Sequence, residues 1–221
     1  MTAFFQHIID LDTSISLGVN AWHSQFWDVF MPLYSSKYVW VCFYLSILYV
    51  VARNYSWRWA VLWLLAGVAV ITICDQVTAS LIRPWVARLR PSNLENPVSD
   101  VVHVVNGYRG GSYSFPSAHA ANSWGLAIFI TLLFRKRLLS WAIIIWAIAT
   151  CYSRLYLGVH YFGDLVTGTL IGCLSASFVY FLIMRVTKLK KPEEVIHDWV
   201  PVVVLALTVL TFLGIATVKC I

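Results

Sequence analysis

Of 221 residues, 60% are hydrophobic and only 12% are charged, and the mean hydropathy is +0.74. A water-soluble core cannot hide that much apolar surface, so an ordinary soluble domain is excluded. The formal net charge of +6 is explained first by membrane topology and lipid phosphates, and nucleic acid is not an expected partner.

Residues 1–20 contain no Lys or Arg and include Asp10 and Asp12, which is not the pattern of a secretory signal. Phe4, Phe5, Ile8, Ile15, Val19 and Trp22 recur at helical spacing. That row fits an amphipathic helix on the membrane surface, and equally the first turns of an ordinary bundle.

Beyond it, apolar runs set off by turn and charge signals predict six spans, at about 36–52, 57–82, 117–134, 139–153, 160–185 and 199–218. Each approaches the roughly 20 residues that cross a bilayer. The first and fourth are short and would borrow interfacial residues such as Tyr34 or Tyr156. Pro32, Pro192 and Pro201 fall at or near helix edges, where a missing N–H costs least. Cys42, Cys74, Cys151, Cys173 and Cys220 show no CxxC or metal-ligand spacing and read as small buried hydrophobes. The expected fold is all-α: one domain over 1–221, a polytopic membrane bundle of about six spans, with 1–33 as an amphipathic, interfacial N-terminal segment.

Basic residues orient this bundle. Arg53 and Arg58, then Arg135, Lys136 and Arg137, then Arg185, Lys188, Lys190 and Lys191 occupy connections on one side, which should be cytoplasmic. Lys37, Arg83, Arg88, Arg90, Arg109, Arg154 and Lys219 fall on the other. The longest connection, 83–116, is rich in Pro, Gly, Ser and Asn and includes Tyr-Arg-Gly-Gly-Ser-Tyr at 108–113. Such a backbone turns sharply and approaches ligands closely, and long ordered loops are commonly functional.

Three stretches on that second side carry chemistry. Arg83-Pro-Trp-Val-Ala-Arg-Leu-Arg90-Pro91 offers guanidinium forks matched to phosphate oxygens. Ser114-Phe-Pro116-Ser117-Ala118-His119 opens the third span with a hydroxyl and free backbone N–H groups at a positive helix end. Ser153-Arg154-Leu-Tyr-Leu-Gly-Val-His160-Tyr-Phe-Gly-Asp164 puts an imidazole and a carboxylate at i and i+4, one turn apart. Each alone has an ordinary explanation: interfacial arginines, an N-cap, a structural His–Asp hydrogen bond.

Together, the pattern RxxxxxxRP, PSxH and SRxxxxxHxxxD resembles the three-part signature of the type 2 phosphatidic acid phosphatase superfamily. That family spans lipid phosphate phosphatases, glucose-6-phosphatase and the vanadium haloperoxidases. The resemblance implies that His160 attacks phosphorus, that Asp164 orients it, and that His119 protonates the leaving oxygen and then helps activate water. It further implies that Arg83, Arg90, Ser117, Ala118 and Arg154 hold the phosphate oxygens, with no metal and no cofactor. Two positions depart from the usual signature: Arg83 stands where Lys is common, and Ala118 where Gly is. Ala118 keeps its backbone N–H, so an anion hole survives if its φ is negative.

Asp75, inside the second span, is costly there and is read as support for the site arginines. His7, His23, His103 and His197 have no comparable neighbours. The expected activity is hydrolysis of a phosphate on a lipid head group at the outer face of a bacterial inner membrane. Lipid A and undecaprenyl diphosphate lead as substrates, and Arg88, Arg109 and Lys37 tilt the choice toward a polyanionic sugar. Phosphatidic acid, phosphatidylglycerophosphate, a haloperoxidase and an anion transporter remain as alternatives. The sequence implies no particular oligomeric state.

Overall fold

The computed structural model describes residues 3–187, 192 and 194–221. Lys188, Lys190 and Lys191, assigned above to a cytoplasmic connection, lie outside the described residues. Among the described residues there is no strand, only an isolated antiparallel bridge between Leu89 and Tyr113.

Helix α1 (Ala3–Asn20) is followed by α2 (Gln25–Ser35), whose start is fixed by Ser24: its side chain accepts from the Trp27 N–H, and Asp28 complements the first turn. A short 3-10 turn, Lys37–Trp40, leads into α3 (Val41–Asn54), and the chain bends by 63° between α2 and the Lys37–Asn54 stretch. Pro32 sits inside α2 instead of at an edge. Helix α4 (Trp57–Asp75) runs on through a π-helical segment, Gln76–Ile82, into the short α5 (Arg83–Val86). A π segment widens the helix locally and is common beside functional sites. Here it delivers Arg83.

After the loop come α6 (Ala118–Phe134), α7 (Arg137–Tyr156), α8 (Phe162–Thr187) and α9 (Val200–Cys220). Four segments are long and apolar enough to cross a membrane: Trp57–Val86, Arg137–Tyr156, Phe162–Thr187 and Val200–Cys220. A fifth appears if the bent α2/α3 pair is counted as one broken span. Helix α6 is apolar but shorter, so length and composition do not confirm the expected count of six. Helix α6 has 17 residues, cut short by the Ser117 cap at one end and by Arg135 in the left-handed conformation (φ 54°) at the other.

Helix α6 sits at the centre, packed on α4, α7 and most extensively on α8. The close approach of α6 and α8 is set by glycine: a Cβ on Gly168 would run into the Ser117 carbonyl, and one on Gly172 into the Ala121 carbonyl. Small residues are how membrane helices bring their backbones together. Aromatic rings tie the other helices: Trp40 meets Trp146 of α7 at 5.8 Å and Phe212 of α9 at 5.5 Å, edge to face. Of the five cysteines only Cys74 is fully buried, and Cys42 is exposed.

The ends of the bundle differ. Asn54 Nδ2 donates to the Ile196 carbonyl (2.9 Å), and Tyr49 Oη lies 2.8 Å from His197 Nδ1, so these two connections share one end. Exposed Arg53, Arg58, Arg135, Arg137 and Arg185 lie at that end. The 87–117 loop and the α7–α8 connection form the other.

Candidate active site

The loop is held in place before the site is built. Arg90 N–H donates to Ser112 O (3.1 Å), Ser114 N–H to Arg88 O (2.8 Å) and Ser92 N–H to Gly158 O (3.0 Å). Asn96 Nδ2 donates to the Arg90 carbonyl (2.9 Å) and to Tyr161 Oη (2.9 Å). Backbone groups of residues 88–92 are thereby fastened to the α7–α8 connection, and the three sequence stretches come to one place.

His160 is 2% exposed and Asp164 is fully buried. His160 Nδ1 stands 3.4 Å from Asp164 Oδ2 without forming a hydrogen bond, and it is a buried nitrogen with no bonded partner. The carboxylate is otherwise well held: Oδ2 accepts from the Tyr161 N–H (2.8 Å) and Oδ1 from Arg88 Nη1 (3.1 Å). The Asp164 carbonyl also accepts from the Ser117 N–H (3.0 Å), which locks the cap of α6 to the first turn of α8.

Guanidinium groups surround the imidazole. Arg90 Nε donates to Tyr113 O (3.1 Å) and Nη1 to Val159 O (3.2 Å). Arg83 Nη2 donates to Pro116 O (2.9 Å). Arg154 Nη1 donates to Ser35 Oγ, and its Nη2 to Tyr108 Oη at 3.4 Å. Arg83 Nε and Arg154 Nε are buried with no partner among the described residues. Unsatisfied buried guanidinium donors are the groups an oxyanion satisfies.

Burial, reinforced by the charges of Arg90, Arg154 and Arg83, holds the His160 imidazole well below its ordinary range. It is therefore neutral near pH 7 and keeps a ring lone pair. Burial and the neighbouring Arg154 and Arg83 bring Arg90 down to about 10, which leaves it charged at neutral pH. Burial pushes the Tyr108 hydroxyl up, but Arg154 and Arg90 outweigh it and the net direction is down.

Ser117 caps α6 with its side chain accepting from Ala120 N (3.4 Å). Ala118 is not among the residues with positive φ, so the condition on its N–H is met. His119, one residue on, lies within electrostatic reach of His160, Arg90 and Arg154. His160, Asp164, Arg83, Arg90, Arg154, Ser117, Ala118 and His119 thus converge.

Several expectations are corrected. Arg88 does not reach toward a head group: it bonds Asp12 Oδ2 (2.7 Å) and Asp164, and covers the Tyr161 ring at 3.6 Å. Arg109 is tied into the loop, its Nη1 donating to Ser92 O (2.6 Å). Asp75 accepts a hydrogen bond from Asn122 Nδ2 (2.9 Å) and lies within electrostatic reach of Arg83 without bonding it directly. His103 and His23 are not isolated: their rings stack at 3.8 Å, and His103 Nε2 lies 2.8 Å from Asp28 Oδ1, which also accepts from Tyr156 Oη (2.6 Å). His197 has Tyr49 as its partner.

The apolar row on α1 is real, with Phe4, Phe5 and Ile8 exposed. Its polar stripe was missed. Asp12 Oδ1 accepts from the Gly163 N–H (2.7 Å) and Ser16 Oγ from the Phe162 N–H (2.9 Å), while Asn20 Nδ2 donates to the Tyr156 carbonyl (2.7 Å). Asp12 and Ser16 satisfy free N–H groups at the start of α8. The i, i+4, i+8 spacing of these three residues was the available signal.

Comparison with known proteins agrees with this geometry. The family model described as PAP2 superfamily matches residues 60–188. The chain is 50% identical to the lipid A 4'-phosphatase of Bacteroides thetaiotaomicron over 182 residues, covering 82% of this chain and 81% of that one. It is 33% identical to the lipid A 4'-phosphatase of Porphyromonas gingivalis, covering 79% and 74%. Among solved structures, Aquifex aeolicus LpxE superposes with a TM-score of 0.61 at 20% identity, covering 77% of this chain and 95% of that one. With the three motifs brought to one end of a helical membrane bundle and the match running over more than half the chain, this protein belongs to the PAP2 superfamily.

Proposed function

We propose that this protein is a membrane phosphatase that removes a phosphate from lipid A, with the 4'-phosphate as the target. The observation that carries the chemistry is the buried His160 with Nδ1 turned to Asp164 and held neutral by burial and the charges of Arg90, Arg154 and Arg83. That orientation leaves Nε2 to attack. The substrate rests on two relatives of that name matched over about four fifths of this chain. The undecaprenyl-diphosphatase of Sulfolobus acidocaldarius matches 76% of it at a lower identity of 29%.

In this reading Arg83, Arg90 and Arg154, the Ser117 hydroxyl and the Ala118 N–H bind the phosphate oxygens and spread their charge in the transition state. His160 Nε2 forms a bond to phosphorus as the P–O bond to the sugar breaks. His119 gives its proton to the departing sugar oxygen, leaving a phosphohistidine on His160. A water then loses a proton to His119 and attacks phosphorus, which breaks the P–N bond and releases inorganic phosphate. Asp164 keeps the His160 ring oriented throughout. The protein is integral to the membrane, and its basic end is assigned to the cytoplasm of a bacterial inner membrane, which turns the site to the periplasm.

The test is release of phosphate by purified protein from lipid A, undecaprenyl diphosphate and phosphatidic acid, with the cleaved position on lipid A read by mass spectrometry. The reading expects the 4'-phosphate to be lost, activity to persist in EDTA, and vanadate to inhibit. Release from phosphatidic acid alone would overturn the substrate assignment, and a strict magnesium requirement would overturn the mechanism.

A further inference from the structure

A cavity of about 620 Å³ leads from the site into the bundle. Its lining includes Lys37, Ala118 and His119 beside the site and, away from it, the apolar Val51, Trp63 and Phe129. That size and lining fit a hydrocarbon chain, and continuity with the phosphate site makes the occupant a chain of the same substrate molecule. One feature does not fit a plain hydrocarbon. Asp75 and Asn122 both line the cavity and are bonded to each other, Asn122 Nδ2 donating to Asp75 Oδ1 at 2.9 Å.

Because the amide nitrogen faces the carboxylate, Asn122 Oδ1 faces away, and it is buried with no partner. Among the described residues nothing else bonds the Asp75 carboxylate. Nearby hydroxyls are already committed as donors, Thr72 to the Val68 carbonyl (2.9 Å) and Ser123 to the Ala120 carbonyl (3.2 Å). The cavity therefore presents an unpaired acceptor, Asn122 Oδ1, beside a carboxylate with a single hydrogen-bond donor and the Arg83 cation within electrostatic reach, and acceptors left open inside an apolar bundle are costly. Asn122 lies three residues beyond His119 on α6, roughly 4.5 Å deeper along the axis at the helical rise of about 1.5 Å per residue. A donor that meets it sits only a few bonds from the phosphate-bearing ring.

We propose that Asp75 and Asn122 select a phospholipid substrate whose chain carries a hydrogen-bond donor close to the head group, an acyl hydroxyl or an amide N–H. The inference rests on the lipid phosphatase reading above and deepens it. A prenyl chain offers no donor, and a simple ester-linked acyl chain offers only acceptors. Such chains enter the cavity but leave Asn122 Oδ1 unpaired and Asp75 with Asn122 as its single hydrogen-bond donor, and polar groups stranded in this way are what make a site discriminate.

The experiment uses the full-length protein in detergent and four synthetic sugar phosphates that share one head group. They differ only in an amide or ester linkage and in 3-hydroxy or 3-deoxy acyl chains. Wild-type kcat/KM is expected to fall at least about tenfold when the recognised donor is removed. The drop on losing the hydroxyl or the amide tells which donor is read. In Asn122→Leu, and separately in Asp75→Leu, the ratio between donor and donor-free lipids is expected to collapse toward one. A ratio measured within one protein is insensitive to the fraction folded, and the wild-type comparison needs no variant at all. Equal wild-type rates on all four lipids, or a preference that survives both substitutions, would overturn the inference while leaving the phosphatase reading intact. No phosphate release from any of the four or from lipid A would remove both.

Discussion

Arg88 Nη1 stands 3.1 Å from Asp164 Oδ1, and the same nitrogen is 2.7 Å from Asp12 Oδ2 on the N-terminal helix. The carboxylate that faces His160 is thus held by a cation which is itself held from α1. Removing Arg88 leaves two carboxylates without their counter-charge, one of them fully buried. Loss of one partner of a buried pair costs about 3–5 kcal/mol, and the low end applies because the Arg88 side chain keeps partial exposure. Arg88→Gln is expected to lower thermal stability and kcat together. Asp12→Asn keeps a group able to bond the Gly163 N–H, so it should lower kcat with little change in KM. A rise in KM with unchanged kcat would mean that Asp12 acts on substrate binding instead of on the orientation of His160.

The state of His160 makes a second prediction. Burial and three arginines hold its ring below the ordinary imidazole range, so the folded protein does not take up a proton there while an unfolded chain does so near pH 6.5. The contribution to stability is fully present above about pH 6.5 and is lost progressively as the pH falls below that value toward the depressed folded one. Nitrogen spectra of 15N-histidine-labelled protein should show the His160 ring still neutral at about pH 6.5, where a free imidazole is half protonated. A titration midpoint near 6.5 would refute the buried, arginine-flanked description. His160→Ala should abolish phosphate release in protein that still inserts.

The convergence of the candidate site residues was legible because each lies at or beside a helix end in a short motif whose spacing encodes its geometry: Ser117 at the start of α6, His160 and Asp164 at the start of α8, Arg83 at the end of the π segment. What was not legible is which way a side chain points when its partner is remote in sequence. Arg88 sits between two arginines proposed to bind phosphate and looks like a third, yet it faces Asp12 and Asp164. Asp12 bonds a backbone amide 151 residues away, and no local periodicity reports that. The span count is left unconfirmed for a related reason. Apolar length reads helices but not the 63° bend between α2 and the stretch that follows, nor the use of the first turn of α6 as a binding cap.

Gly110 tests the loop. Its φ is +70°, and a Cβ there would stand 2.7 Å from Arg90 Nη1 and 3.0 Å from Arg90 Cζ. The guanidinium has little room to retreat, being fixed to the carbonyls of Tyr113 and Val159. Gly110→Ala is therefore expected to displace Arg90 and to lower kcat/KM by about 10²-fold, the usual scale for losing one transition-state donor. Because residue 110 is exposed, the bundle should fold and insert normally. Arg90→Ala should cost at least as much, and the double variant little more than Arg90→Ala alone if both act through the same group.

Gly168 tests the helix packing that sets the distance between the phosphate cap and the imidazole. A Cβ at this position would collide with the Ser117 carbonyl and come within 3.0 Å of the Ala120 Cβ, and neither neighbour is a flexible side-chain end. The Ser117 N–H is bonded to the Asp164 carbonyl at 3.0 Å, so pushing α8 away from α6 stretches the link between the two halves of the site. Gly168→Val is expected to cost more than the roughly 1–3 kcal/mol typical of overpacking, because backbone instead of a rotamer has to move. The variant should show a lowered melting temperature in detergent and loss of phosphate release. Gly214, whose added Cβ would meet nothing within 4 Å, supplies the control: Gly214→Val on α9 should leave activity unchanged. Similar behaviour of the two valine variants would show that the α6–α8 contact does not set the catalytic geometry.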